Sequence, residues 1–170
     1  MANIIEYAMQ MELDGKAFYE KCAAATPQPE LKKILLQLAE EEQKHYLFFK
    51  RLKEGDHREA EAQMTSNPST ILSSRNLFQQ MAEQNGPSSF GEEARAVWNQ
   101  ALKIEEKAEK LYRDEAARET DPNRKKLLLR IADEEKTHVY LIDNILSYMV
   151  DPQGFMDSAN YRNFMSWEGR

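Results

Sequence analysis

The chain repeats itself without gaps at a shift of 93 residues, and this restricts its fold more than any other feature. At that shift Ala8 falls on Ala101, Glu12 on Glu105, Tyr19 on Tyr112 and Pro29 on Pro122. Lys32-Lys33 falls on Lys125-Lys126, Leu35-Leu36 on Leu128-Leu129, Glu41-Glu42 on Glu134-Glu135, and His45 on His138. Apolar periodicity and Lys/Glu surfaces recur by chance in helical proteins. Polar residues repeated at fixed spacing on otherwise apolar faces are much harder to reach by chance. We read the repeat as the duplication of one helical hairpin.

Each half carries two long helical patterns. Apolar residues at 3–4 spacing predict helices from about Asn3 to Ala25 and from Pro29 to Glu54, then from Ser89 to Thr120 and from Pro122 to Val150. Thr26-Pro27-Gln28-Pro29 breaks the first pair, and Asp121-Pro122 supplies an N-cap and a first-turn proline in the second. Such short connections make antiparallel neighbours. The two hairpins, 3–54 and 89–150, are joined by residues 55–88, long enough to cross the length of a bundle. A short helix is predicted within that segment, from Thr70 to Gln84; a surface loop is the alternative. The expected fold is therefore all-α: a four-helix bundle of two hairpins with a long crossover, filling residues 1–150. Residues 151–170 form a tail rich in aromatics, among them Phe155, Tyr161, Phe164 and Trp167. Such a tail is expected to be partly helical and to pack on the bundle or on a second subunit.

Composition agrees and excludes several classes. Ala, Leu, Glu, Lys and Gln lose little side-chain freedom in a helix, and Gly and Pro number only six each. The 23 Lys and Arg against 29 Asp and Glu leave a net charge of −6, without the basic stripe of a nucleic-acid binder. No apolar run is long enough to span a membrane, and the first residues lack the pattern of a secretory signal. A cytoplasmic location is the expectation. The single cysteine, Cys22, excludes an internal disulfide and any four-cysteine iron site; it reads as a small buried hydrophobe.

The chemistry lies on the inner faces. Glu12 shares its face with Ala8, Met9 and Gly15, and Glu105 shares its own with Ala101, Leu102 and Ala108. Glu42 falls among Leu35, Leu38, Ala39 and Phe49 with His45 one turn on, and Glu135 falls among Leu128, Ile131, Ala132 and Ile142 with His138 one turn on. Four bare carboxylates in a core would be prohibitively costly. They must be protonated, paired or bound to metal. No Lys or Arg occupies these faces, although Lys16 lies near an edge. One Glu from each of two helices, with a Glu-x-x-His from each of the other two, is the ligand plan of di-iron and di-manganese carboxylate bundles. The expected metal ligands are Glu12, Glu42, His45, Glu105, Glu135 and His138. Glu40, Glu41, Asp133 and Glu134 are read as a solvated face, and His57 as an exposed histidine. Tyr19 and Tyr112 follow the lone glutamates by two turns; they are either hydrogen-bond partners of a ligand carboxylate or core aromatics.

These motifs resemble the rubrerythrin-like branch of the ferritin-like superfamily. The resemblance rests on Met11-Glu12-Leu13-Asp14-Gly15-Lys16-Ala17-Phe18-Tyr19, Ala39-Glu40-Glu41-Glu42-Gln43-Lys44-His45, Ile104-Glu105 with Tyr112, and Ala132-Asp133-Glu134-Glu135-Lys136-Thr137-His138. It covers about residues 3–149. It implies two iron ions on the six ligands, with manganese or zinc as alternatives, and catalytic second-sphere roles for Tyr19 and Tyr112. Full rubrerythrins carry a four-cysteine rubredoxin domain; with one cysteine, this chain would need an external electron donor of that type. Rubrerythrins also place a glutamate one turn after the third-helix ligand, where this chain has Ala108, which makes the centre more symmetric, as in ferritins. The implied function is a di-iron oxidoreductase acting on peroxide or O2, either a peroxidase or a ferroxidase. Iron binding or storage without turnover is the alternative, and a partner-binding bundle with a vestigial site a third. A homodimer that binds neither nucleic acid nor membrane is the expected assembly.

Overall fold

The computed structural model describes residues 2–64, 74–76, 79–80 and 90–167. Helix α1 spans Ala2–Ala25, α2 Pro29–Lys53, α3 His57–Gln63, α4 Glu92–Arg118, α5 Pro122–Val150, α6 Pro152–Asp157 and α7 Ala159–Ser166. The protein is an all-α, ferritin-like helical bundle. Helix α1 packs along α2 and α4 along α5, and the hairpins meet where α1 faces α4.

Local chemistry sets the helix ends. Asp121 caps α5 by accepting from the backbone N–H of Asn123 at 2.8 Å and Arg124 at 3.1 Å, with Pro122 in the first turn. Pro29 opens α2 in the same way, but Gln28 makes no side-chain cap. Past the end of α2 the chain turns at Gly55, whose φ of 81° lies in the left-handed region that glycine enters freely. Asp56 then caps α3 through the Glu59 N–H at 3.1 Å. Helix α4 starts at Glu92, later than the apolar pattern predicts. Gly91 is extended there, and Phe90 turns inward onto Tyr148, with ring centroids 5.8 Å apart.

Of the helix predicted at Thr70–Gln84, residues 74–76 and 79–80 are helical and the rest lies outside the described residues. Arg75 in that stretch donates from Nε to the Phe164 carbonyl at 3.3 Å, tying the connection to α7. The aromatic tail packs on its own bundle: Phe155 and Phe164 are buried, Phe164 beside Tyr140 and Phe155 beside Tyr148.

Among the described residues the core has two apolar clusters. One, built around Tyr19, Leu31, Leu35, Trp98, Ile142 and Ile145, fills the end where α4 begins and α5 finishes. The other, built around Ile5, Phe49, Leu52, Tyr112, Leu127 and Leu128, fills the opposite end. Between them lies a layer of buried polar residues.

Candidate metal centre

That layer contains all six residues singled out in the sequence. Glu12, Glu42, His45, Glu105, Glu135 and His138 are each at most 3% exposed. Each helix of the bundle turns a carboxylate inward, and α2 and α5 add an imidazole one turn later. Ligand atoms of Glu12, Glu42, His45 and Glu135 lie within 4.8 Å of one another, as do those of Glu42, Glu105, Glu135 and His138. Glu42 and Glu135 belong to both groups, so the two groups share a pair of carboxylates.

Among the described residues the inward-facing atoms find no hydrogen-bond partners. Glu12 Oε2, Glu42 Oε1, Glu105 Oε2, both Glu135 oxygens and the Nδ1 atoms of His45 and His138 are all buried and unsatisfied. His45 Nδ1 lies 2.9 Å from Glu135 Oε1 and 3.4 Å from Glu12 Oε2. His138 Nδ1 lies 3.3 Å from Glu135 Oε2 and 3.5 Å from Glu105 Oε2. These are ion-pair distances without hydrogen-bond geometry. Buried polar groups in folded proteins are nearly always paired. A cluster of oxygen and nitrogen lone pairs converging on common space is what a metal centre requires, and the donor set fits a binuclear one.

The electrostatics agree. Burial, then repulsion from Glu105, Glu12 and Glu135, pushes the Glu42 carboxyl far above the usual carboxylate range. Glu135 is pushed up to about 7, chiefly by burial. Burial acts against charge on His45 and His138 too, but Glu135 beside the one and Glu105 beside the other outweigh it, and both imidazoles are raised. Burial also pushes Glu105 upward; the positive charge of His138 beside it and the hydrogen bond from the Tyr19 hydroxyl reverse this and hold it below the ordinary value. Lys16 does not contribute: its Nζ donates to Gln43 Oε1 at 2.9 Å.

A second ring of contacts crosses between the hairpins. The Tyr19 hydroxyl donates to Glu105 Oε1, and the Tyr112 hydroxyl donates to Glu12 Oε1. Each tyrosine therefore serves the lone glutamate of the other hairpin. Burial, reinforced by these carboxylates, holds both phenols protonated.

The histidines are crossed in the same way. His45 Nε2 lies 3.2 Å from Glu134 Oε2, and His138 Nε2 bonds Glu41 Oε2. The reading of Glu41 and Glu134 as a solvated face is thus corrected: both are half-buried, while Glu40 and Asp133 are exposed as expected. A single helix shows only that these residues lie off its apolar stripe. The neighbouring helix supplies the imidazole that draws them in. Their repetition as Glu41-Glu42 and Glu134-Glu135 was the signal available in the sequence. His57 is also corrected, from exposed to half-buried at the start of α3, whereas Cys22 is buried as expected.

Gly15 departs from the symmetry. A Cβ at this position would lie 2.5 Å from Glu42 Oε2, so the glutamate occupies the space that any side chain would need. Its counterpart in the second half is Ala108.

Fold and site together define a ferritin-like bundle with a buried carboxylate–imidazole centre compatible with two metal ions. The family model for rubrerythrin matches residues 3–146, and the chain belongs to the rubrerythrin family. Neither the curated proteins nor the solved structures gave a match.

Proposed function

We propose that the protein is a di-iron oxidoreductase that reduces peroxide or O2 with electrons from an external donor, such as a rubredoxin-type protein. The observation that carries this reading is the set of buried, unsatisfied lone pairs on Glu12, Glu42, His45, Glu105, Glu135 and His138. In this reading Glu12, Glu42, His45, Glu105, Glu135 and His138 would together hold the two irons. When bound, two irons would supply the redox chemistry of the reaction.

The chain's own residues do the rest. Glu134 and Glu41 accept from the Nε2–H of the histidines, which leaves each Nδ1 lone pair facing inward. Tyr19 and Tyr112 fix one oxygen of each lone glutamate and leave the other free. The apolar clusters on either side exclude water and so limit side reactions.

Metal analysis tests the site. Protein grown with iron should hold two irons per chain, and the Glu42→Ala/Glu135→Ala variant should hold almost none. Unchanged metal content would overturn the assignment. Stopped-flow mixing tests the reaction: reduced protein should be oxidised rapidly by peroxide and turn over when a reductant is supplied.

Ala108 supports a second reading. It is buried and apolar, so α4 offers no extra carboxylate to the centre. That favours a ferritin-like role in which iron(II) is itself the substrate or cargo. Iron taken up without peroxide turnover would favour that role.

A further inference from the structure

The duplicated halves are matched in ligands but not in packing, and the mismatch leaves a cavity. At the Tyr112 end a space of about 70 Å³, partly open to solvent, is lined by Ile5, Ala8, Phe49, Leu52, Tyr112 and Leu128, among others. The shift of 93 residues maps these onto Trp98, Ala101, Ile142, Ile145, Tyr19 and Leu35. Those counterparts all belong to the apolar cluster at the other end. Two replacements change volume: Ile5 stands where the second half places Trp98, and Phe49 where it places Ile142, and the loss at the first exceeds the gain at the second. The indole is 1% exposed and fills its end of the bundle, whereas the much smaller Ile5 side chain cannot fill the equivalent volume.

The rim differs as well. Arg118 and Arg124 stand where the other half has Ala25 and Leu31. Their charges are already neutralised. Arg118 Nη1 lies 2.7 Å from Glu115 Oε1, and Arg124 Nε lies 3.0 Å from Glu119 Oε2. Glu119 also accepts the N–H groups of Thr120 at 2.8 Å and Asp121 at 3.0 Å. An ionised ligand would have to break these pairs to be held, and burying a charge without a partner is strongly unfavourable. The walls and the rim both select an uncharged occupant.

We propose that this cavity is a binding site for a small, uncharged, apolar molecule, a single ring or a short alkyl chain inserted where the other half carries an indole. The Tyr112 ring forms part of its wall, and the Tyr112 hydroxyl donates to Glu12. An occupant would therefore touch the donor to one lone glutamate and not the other, giving a symmetric centre a one-sided approach. The proposal stands on packing and does not depend on which metal the centre holds.

An enclosed apolar cavity of about 150 Å³ binds benzene or xenon, and the same two probes test this smaller, partly open space. Crystals of the full chain under xenon pressure should show xenon against Tyr112 and Leu52. In solution, benzene should raise the thermal midpoint in a saturable way, because a ligand that binds only the folded state stabilises it. Ile5→Trp, which reproduces the packing of the other half, should bind benzene at least tenfold more weakly. If that variant fails to fold, Ile5→Phe and Leu52→Phe should show the same loss. The proposal is overturned if xenon is absent from the wild-type cavity, or if benzene affinity stays within twofold in a folded, cavity-filled variant.

Discussion

At the scale of single residues, the crossed contacts decide how well the centre is held. Removing the Tyr112 hydroxyl leaves a buried Glu12 oxygen without its donor, and removing that of Tyr19 does the same to Glu105. An unsatisfied buried polar group costs about 1–3 kcal/mol. Tyr19→Phe and Tyr112→Phe should each destabilise metal-free protein by about that amount, read from urea midpoints. Equal midpoints would mean that the tyrosines serve only as core aromatics. The outer carboxylates act differently, because they orient imidazoles. Glu41→Gln and Glu134→Gln should keep the fold and weaken iron(II) binding roughly tenfold to hundredfold, the usual range for partners of ligating histidines. Anaerobic titration would measure this, and unchanged affinity would reduce the two contacts to surface pairs.

At the scale of elements, Gly15 sets helix propensity against the site. Alanine is favoured over glycine in a helix interior by about 0.5–1 kcal/mol. A Cβ here meets the far end of the Glu42 side chain, whose displacement costs less when no metal is bound to it. Gly15→Ala should therefore leave metal-free protein as stable as before or slightly more so, while weakening metal binding. Thermal midpoints with and without metal would separate the two effects, and a loss confined to metal-free protein would refute the argument. The sequence made the long helices legible because apolar spacing, Pro29, Pro122 and Asp121 all bear on the same boundaries. It made the six inward residues legible because a repeat of 93 residues exposes polar positions that one helix alone would hide. It hid Glu41 and Glu134 because their partners are on another helix, and periodicity reports only on its own element. It hid the cavity for the same reason: Ile5 reads as a good core residue until it is set beside Trp98.

At the scale of the whole molecule, the centre links stability to pH with opposite signs in the two forms of the protein. In metal-free protein, Glu135 rises from 4.5 to about 7, and Glu42, His45 and His138 are raised as well. These groups bind protons more tightly folded than unfolded. Their contribution is fully present below the unfolded values and is lost as pH rises through the folded ones. For Glu135 that window runs from 4.5 to about 7. Glu105, held below 4.5, has the opposite sign: its contribution is present above that value and lost only in stronger acid. Metal-free protein should therefore lose stability as pH rises from 4.5 to about 7. With metal the dependence inverts, because protons then compete for the atoms that hold it and acid releases the metal. Urea midpoints across this range, taken with chelator and with anaerobic iron(II), should give slopes of opposite sign. Parallel slopes would show that the metal does not bind at these carboxylates.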